Sequence, residues 1–266
     1  MKTTYRTTHS YKPHSRAERA LVLAVLTALL AGGGMTPAMA KDVTIEKGET
    51  VILKNYWKNE VSLMYDAKEK ETDADKTSSP SGNHITIYGN VTLDDPPWAT
   101  YTVSTVFTME GATALSDNHL LIDGGNLTTA AKCLYGAFGA VDSTGLVTNN
   151  EVIIKGDSNT ANCLVYGGYS RYGKSNENKV SITDGSVTAI WGGMGWASSA
   201  NGNHVTVDHA NVTGDNGDGI YGGDAGNSAD NNQVLVKGGT ISRGIYGGHT
   251  RNQHANGNHV ETSSIS

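Results

Sequence analysis

The sequence predicts an all-β fold: a right-handed parallel β-helix, or solenoid, with coils of about 25–30 residues and an irregular N-terminal segment. Three observations support this. A phrase of Asn, any residue, apolar, any residue, apolar recurs along the chain, usually closed by a glycine-containing turn. An aromatic–glycine phrase lies between its copies. Finally, all 5 prolines lie at or before Pro97, and the chain has only 2 phenylalanines, which suits short strands and tight turns.

The two phrases alternate with a nearly constant period. The asparagine phrase begins at Asn83, Asn118, Asn150, Asn178, Asn203, Asn232 and Asn258, in steps of 35, 32, 28, 25, 29 and 26 residues. The aromatic phrase occurs at Tyr135–Gly136, Tyr166–Gly168, Trp191–Gly193, Tyr221–Gly223 and Tyr246–Gly248. Self-similarity at this period indicates stacked repeats, each too small to bury its own apolar face.

Each repeat is predicted to contain three short strands, as the copy from Asn178 illustrates. Val180 and Ile182 alternate with polar residues, so they point into the stack. A turn at Asp184–Gly185 leads to a second strand from Val187. Ile190–Trp191 forms the third strand, which the following two glycines are expected to end with backbone angles that favour glycine.

Three other repeat architectures fit the pattern less well. A β-propeller blade needs about 40–50 residues and four strands. A leucine-rich repeat needs leucine at fixed positions, and leucine is scarce here. A calcium-binding roll needs a nine-residue repeat, which the sequence lacks. The parallel β-helix is therefore the preferred prediction.

The first 40 residues are predicted to be an export signal. They carry five basic residues and one acidic residue, then an apolar run over Leu21–Ala31 that is too short to span a bilayer, which needs about 20 residues. Ala38–Ala40 supplies small residues for cleavage before Lys41. Residues 41–117 are predicted as an irregular capping segment with degenerate repeats, including KDVTIEKG and NEVSLMY. Residues 118–266 are predicted as the regular β-helix.

The net charge of the chain limits the kinds of partner that it can bind. The whole chain has a formal charge of −6, and its first 40 residues carry +4, which leaves −10 for the remainder. An acidic surface argues against binding to nucleic acid or to anionic lipid.

The recurring asparagines and histidines favour structural roles. Asparagines stacked at one corner, namely Asn118, Asn150, Asn178, Asn203 and Asn232, are expected to form an amide ladder rather than a ligand site. Histidines follow the repeat asparagine at positions 84, 119, 204 and 259, but other copies carry Glu151, Lys179 and Gln233 there. That position is expected to face outward, and no metal site is predicted.

Cys133 and Cys163 lie one repeat apart, each shortly before a Tyr–Gly phrase. Stacking would bring them to the spacing of neighbouring strands, about 4.8 Å. A disulfide is one interpretation in an exported chain, and two inert stacked thiols are the other.

The aromatic column leaves two interpretations open. Tyr135, Tyr166, Trp191, Tyr221 and Tyr246 either stack on one another and are partly buried, or form an exposed stripe that receives sugars or proteins. Tyr169, Tyr172 and Trp196 are placed in loops and are the better candidates for partner contact.

Catalytic chemistry is not predicted, and neither catalytic residues nor cofactors are assigned. Aspartates occur at positions 184, 208, 215, 218, 224 and 230, mostly in turns, where Asp is favoured for local hydrogen bonds. Lysine and arginine are sparse in the repeats, and no nucleophile, zinc-protease, phosphate-loop or dinucleotide motif is present.

The repeats NHLLIDGG…YG, NKVSITDG…WGG and NQVLVKGG…IYGG, with the export signal, resemble the passenger region of Gram-negative bacterial autotransporters. The resemblance implies a cell-surface, outer-membrane or secreted stalk that acts in adhesion or aggregation, with a host or bacterial surface protein, a glycan or another copy of itself as partner. Membrane attachment in that family comes from a C-terminal barrel, and no strand pattern of that kind is predicted in this sequence. The chain ends inside a repeat, so it is expected to be a fragment or a truncated product. The alternative is a secreted polysaccharide-degrading β-helix enzyme.

Overall fold

A computed structural model describes residues 42–54, 82, 84–94, 104–107, 110–111, 114–128, 131–139, 145–156, 158, 160, 163–214 and 218–266. All regular elements in these ranges are β-strands. None of the described residues forms a helix long and apolar enough to cross a membrane. The predicted export signal and the predicted strand copy NEVSLMY lie outside the described residues.

The strands of successive coils stack into parallel sheets. The first sheet has eight strands: β1 (Asp42–Ile45), β3 (His84–Ile87), β8 (His119–Asp123), β13 (Glu151–Lys155), β16 (Lys179–Thr183), β19 (His204–Asp208), β22 (Gln233–Val236) and β25 (His259–Thr262). Every neighbouring pair in it is parallel. The described chain is therefore a parallel β-solenoid, as predicted.

The strands at the second position of the coil form two short sheets. One contains β2 (Thr50–Lys54), β4 (Asn90–Asp94) and β9 (Asn126–Thr128). The other contains β17 (Ser186–Val187), β20 (Ala210–Val212) and β23 (Gly239–Ile241). Each of these strands follows a strand of the first sheet after a tight turn.

The third position carries the aromatic phrase. Its strands are β5 (Ser104–Phe107), β6 (Glu110–Gly111), β10 (Ala131–Tyr135), β11 (Phe138–Gly139), β14 (Leu164–Ser170), β18 (Ala189–Gly195), β21 (Ile220–Ala225) and β24 (Ile245–Thr250). A fourth position, which the sequence did not predict, holds two-residue strands just before the repeat asparagine: β7 (Leu115–Ser116), β12 (Val147–Thr148) and β15 (Ser175–Asn176).

The interior is a column of branched apolar side chains. Val180 pairs with Val205 and Val205 with Val234 in direct register, and all three are buried. Leu134, Val165, Ile190 and Ile220 enter the same cluster from the third sheet. The column extends to β1, where Ile45 pairs with Ile87 and is buried, so the predicted degenerate copy KDVTIEKG contributes a true coil strand.

The repeat asparagines form the amide ladder that the sequence predicts. Oδ1 of Asn203 accepts the backbone N–H of Asn178 at 2.9 Å and its Nδ2–H at 3.2 Å. The same two bonds link each ladder residue to the next through Asn118, Asn150, Asn178, Asn203, Asn232 and Asn258. Asn118 to Asn232 are at most 1% exposed, so the ladder supplies polar partners where no water reaches.

The left-handed position of this corner is the residue before each ladder asparagine. Asp117, Asn149, Glu177 and Asn231 have φ of 59°, 53°, 57° and 55° there, and Gly202 and Gly257 take 66° and 64°. The ladder asparagine itself does not use left-handed angles. The corner is therefore a two-residue device, in which one residue turns the backbone and the next enters the ladder.

The paired glycines have a different role from the predicted one. No glycine of the pairs at 167–168, 192–193, 222–223 and 247–248 has a positive φ, and β14, β18, β21 and β24 continue through them. A Cβ on Gly168 would lie 2.6 Å from Cγ of Asn178, and one on Gly193 would lie 2.6 Å from Cγ of Asn203. Glycine is required because the ladder packs directly against this backbone.

Candidate functional site: the outer aromatic face

The third sheet has an apolar outer face in addition to its inner one. Because side chains alternate along a strand, Val165 of β14 enters the core and Tyr166 points outward. The outward aromatic side chains stack from coil to coil. Ring centroids are 4.7 Å apart for Tyr135–Tyr166 and 4.6 Å for Tyr166–Trp191, then 5.5 Å for Trp191–Tyr221 and 5.0 Å for Tyr221–Tyr246, with planes within 17° of parallel. We call these five side chains the aromatic ladder.

Most of the aromatic ladder is covered, which decides between the two interpretations left open by the sequence. Tyr135, Tyr166 and Trp191 are only 6%, 7% and 4% exposed, whereas Tyr246 in the last coil is 45% exposed. An outer row of side chains three positions later along each strand provides part of the cover. Phe138 packs edge-on against Tyr135, and Tyr169 packs edge-on against Tyr166. The ladder is thus a second, external hydrophobic core.

The outer row changes character along the stack. In register, it reads Phe138, Tyr169, Met194, Asp224 and His249. Phe138 and Tyr169 stack with centroids 5.2 Å apart. The apolar residues of the row thus give way to an acid and a histidine in the last two coils, where the face becomes charged.

Burial alters the ionisation of the ladder tyrosines. It raises the pKa of Tyr135 and of Tyr166 well above the usual value, and nearby groups, beginning with Cys133, add to the effect. A folded-state pKa above the unfolded one means that this contribution to stability is complete below the unfolded pKa, near 10, and is lost as the pH rises beyond it.

We expect alkaline unfolding in which tyrosinate absorbance and loss of β-sheet circular dichroism rise together above about pH 10. Replacing both residues, as Tyr135→Phe with Tyr166→Phe, removes the ionising hydroxyls and keeps the rings. That variant should unfold at higher pH than the parent. An unchanged midpoint would show that these hydroxyls do not control the transition.

Charged side chains meet at the end of the outer row. Oδ1 of Asp224 lies 2.9 Å from Nδ1 of His249, and its Oδ2 lies 3.3 Å from a guanidinium nitrogen of Arg251. The Asp224 side chain is only 8% exposed. Burial, and then the charge of Asp224, raise the pKa of Asp218. Asp224, His249 and Arg251 satisfy one another and form a hydrogen-bonded network with one ion pair, Asp224–Arg251.

The three predicted contact residues come together beside this network. Tyr172 and Trp196 are 46% and 47% exposed. Tyr169 is half-buried and lies in β14, so its predicted place in a loop was wrong. The two loops are adjacent, since the backbone N–H of Ala197 donates to the carbonyl of Arg171 at 2.9 Å. Burial raises the pKa of Tyr169, while the charges of Arg171 and Arg251 lower it.

Two arginines of this face were not predicted from the sequence. The guanidinium carbon of Arg251 lies 4.1 Å from the ring centroid of Trp196, and that of Arg171 lies 5.5 Å from the ring of Tyr172. Both are cation–π distances. Arg171, Trp196, Gly226 and Arg251 each follow the last residue of a third-position strand, so aligning the repeats by column would have revealed them.

The histidine column faces outward, as expected. His84 and His119 have ring centroids 5.2 Å apart, and Nδ1 of His119 lies 3.0 Å from a carboxylate oxygen of Glu151. Within the described residues, no group of three or more His, Cys, Asp or Glu side chains is arranged to hold a metal ion.

The two cysteines do not stack as the sequence suggested. Cys133 is paired in register with Leu164, not with Cys163, and a one-residue offset turns a side chain to the opposite face of a sheet. Cys163 lies in the inner core and Cys133 in the outer aromatic cluster. Both are thiols in the structure. The direct stacking from which the two interpretations, a disulfide and a pair of inert stacked thiols, both started is absent.

We expect both thiols to resist alkylation in the folded chain. They are 5% and 3% exposed, and burial raises the pKa of Cys163 to about 12, so the reactive thiolate is scarce at neutral pH. Iodoacetamide followed by mass spectrometry should show no modification without urea and two modifications with urea, in the absence of reductant. A requirement for reductant would establish the disulfide instead.

The architecture thus defines a class: a parallel β-solenoid with an internal asparagine ladder and an external aromatic ladder. Comparison of the chain with protein-family models, with curated proteins and with solved structures found no match in any of the three.

Proposed function

We propose that this chain is an exported, non-enzymatic surface stalk of the autotransporter-passenger kind, which acts in adhesion by presenting its outer aromatic face to a partner. The supporting observation is the pair of half-exposed aromatic side chains, Tyr172 and Trp196, held on adjacent loops of a rigid solenoid. Aromatic and arginine side chains on a fixed surface are the residue types that dominate recognition sites.

The solenoid suits a stalk because each coil needs only its neighbours for stability. The strand-to-strand rise of about 4.8 Å per coil makes a rod that holds loops far from its point of attachment. The basic and apolar residues before Lys41 are the expected signal for export.

The alternative, a polysaccharide-degrading enzyme, has one observation in its favour, the meeting of Asp224, His249 and Arg251. Against it, both carboxylate oxygens of Asp224 are engaged by these basic groups. A carboxylate that acts as a general acid or base must reach a substrate proton within hydrogen-bond distance. The arrangement therefore favours a structural role for Asp224.

Adhesion of beads coated with the purified chain tests this proposal. Trp196→Ala combined with Tyr172→Ala should abolish most adhesion to a surface that the parent binds. Tyr88→Ala combined with Leu146→Ala is the matched control, because those side chains are 38% exposed elsewhere on the rod. Equal adhesion by both double variants contradicts the proposal. Release of reducing ends from a polysaccharide, lost in Asp224→Asn, would establish the enzyme instead.

A further inference from the structure

From residue 41 onward the chain has only three arginines, Arg171, Arg243 and Arg251, in a strongly acidic sequence. Two of the three lie on the outer aromatic face, each over an exposed aromatic ring. Asp224 pairs with Arg251, and the Arg171 guanidinium adds local positive charge to this face of an acidic chain. Local positive charge favours an anionic ligand.

The arginine patch, defined as Tyr169, Arg171, Tyr172, Trp196 and Arg251, is assembled from separate coils. Arg251 reaches back to Trp196 across the coil that contains Gly226. A guanidinium nitrogen of Arg251 lies 3.4 Å from the carbonyl oxygen of Trp196. Gly226 packs against that same carbonyl, where a Cβ would lie 2.5 Å away, so the coil between them is kept free of side-chain bulk.

The two arginines differ in how firmly they are held. Arg251 is anchored by Asp224, and its side chain is 35% exposed. Arg171 is exposed, and among the described residues no carboxylate lies within ion-pair distance of it. Lys174, also exposed, follows in the same turn. Arg171 therefore presents guanidinium donors to solvent beside two half-exposed aromatic rings.

We infer that the arginine patch binds an anionic polysaccharide, with its pyranose rings against Trp196 and Tyr172 and its carboxylate or sulfate groups on Arg171 and Arg251. A guanidinium offers a planar fork of donors that matches such groups bidentately. Aromatic rings beside it provide the flat apolar surface that the carbon face of a sugar requires. This inference rests on the proposed function and names the class of partner for the same face.

Binding of the full chain to immobilised polygalacturonate, dextran sulfate and neutral dextran tests the inference. Binding to either polyanion, weakened by salt, supports it, and the two arms distinguish carboxylate from sulfate recognition. Equal binding to neutral dextran, or binding to none of the three, overturns it.

Arg171→Gln should weaken polyanion binding about tenfold, since it removes a charged donor from the patch. Arg171→Lys should recover only part of that loss, because lysine keeps the charge without the fork. Arg243→Gln is the matched control: Nε of Arg243 donates to the carbonyl of Gly214, away from the patch, and its loss should leave binding unchanged. Equal weakening by Arg171→Gln and Arg243→Gln contradicts a specific patch.

The adhesion assay separates this inference from the proposed function. If Trp196→Ala with Tyr172→Ala abolishes adhesion and Arg171→Gln does not, the outer face is adhesive but its partner is not a polyanion. If Arg171→Gln lowers polyanion binding while the aromatic double variant adheres like the parent, the patch binds polyanions and the stalk does not adhere through it.

Discussion

Asn203→Leu should destabilise the chain by about 3 kcal/mol. Leucine keeps the branched shape but removes Oδ1, which accepts the backbone N–H and the Nδ2–H of Asn178. It also removes the donor to Oδ1 of Asn232, at 3.0 Å. Leaving a buried polar group unsatisfied costs about 1–3 kcal/mol, and more than one is affected here.

The effect is measured as the change in the free energy of unfolding in urea, followed by tryptophan fluorescence. Asn211→Leu is the control, because Asn211 is exposed on β20 and a surface change of this kind falls within about 0.5 kcal/mol. Equal losses for Asn203→Leu and Asn211→Leu would refute the ladder as a stabilising device.

Gly193→Ala should destabilise by a similar amount, about 3 kcal/mol or more, although it adds a single methyl group. The added Cβ meets the side-chain amide of Asn203, which cannot move aside. That amide is fixed by its neighbours in the ladder and by a bond from Nδ2 to the carbonyl of Ser175 at 3.1 Å. Either the methyl strains the backbone or the ladder bonds break.

A second glycine separates this close approach from the ordinary conformational role of glycine. Gly202 has a φ of 66°, and the residues in its column, Glu177 and Asn231, hold similar angles without being glycine. Gly202→Asn should therefore change the free energy of unfolding by less than about 1 kcal/mol, since asparagine tolerates left-handed angles. A larger loss of unfolding free energy in Gly202→Asn than in Gly193→Ala would contradict the roles assigned to both glycines.

The features that were predictable from sequence are those that repeat with the coil. The alternation at Val180 and Ile182 recurs in every copy before the last, so its inward direction and register followed from the pattern. The asparagine ladder was predictable for the same reason. A residue type that returns once per coil at a buried corner finds its partner in its own copy above and below.

What was missed depends on contacts between different columns. The glycine pairs are required by the asparagine that comes about ten residues later in the chain, a tertiary contact that local turn chemistry does not contain. The two cysteines differ in register by one residue. Cys133 lies two positions before Tyr135, and Cys163 lies three positions before Tyr166, so the two thiols point to opposite faces of the sheet.

The outer face was predicted only in part. Tyr172 and Trp196 were recognised as exposed because they lie in loops beyond the strand pattern. The Asp224, His249 and Arg251 network was not recognised, because Asp224 and His249 occupy a column that other coils fill with Tyr169 and Met194. Arg251 occupies the column of Arg171 and Trp196. Such residues stand out only when the repeats are aligned column by column.

The central claim is that equivalent residues of successive coils lie one above another. Spin labels on cysteines replacing His119 and His259 test it directly, because these residues occupy one outward column, five strand intervals apart. Labelling the folded chain leaves the buried native thiols unreacted. Pulsed electron resonance should give one narrow distance distribution near about 24 Å. A broad distribution, or one centred beyond about 40 Å, would contradict the stacked solenoid.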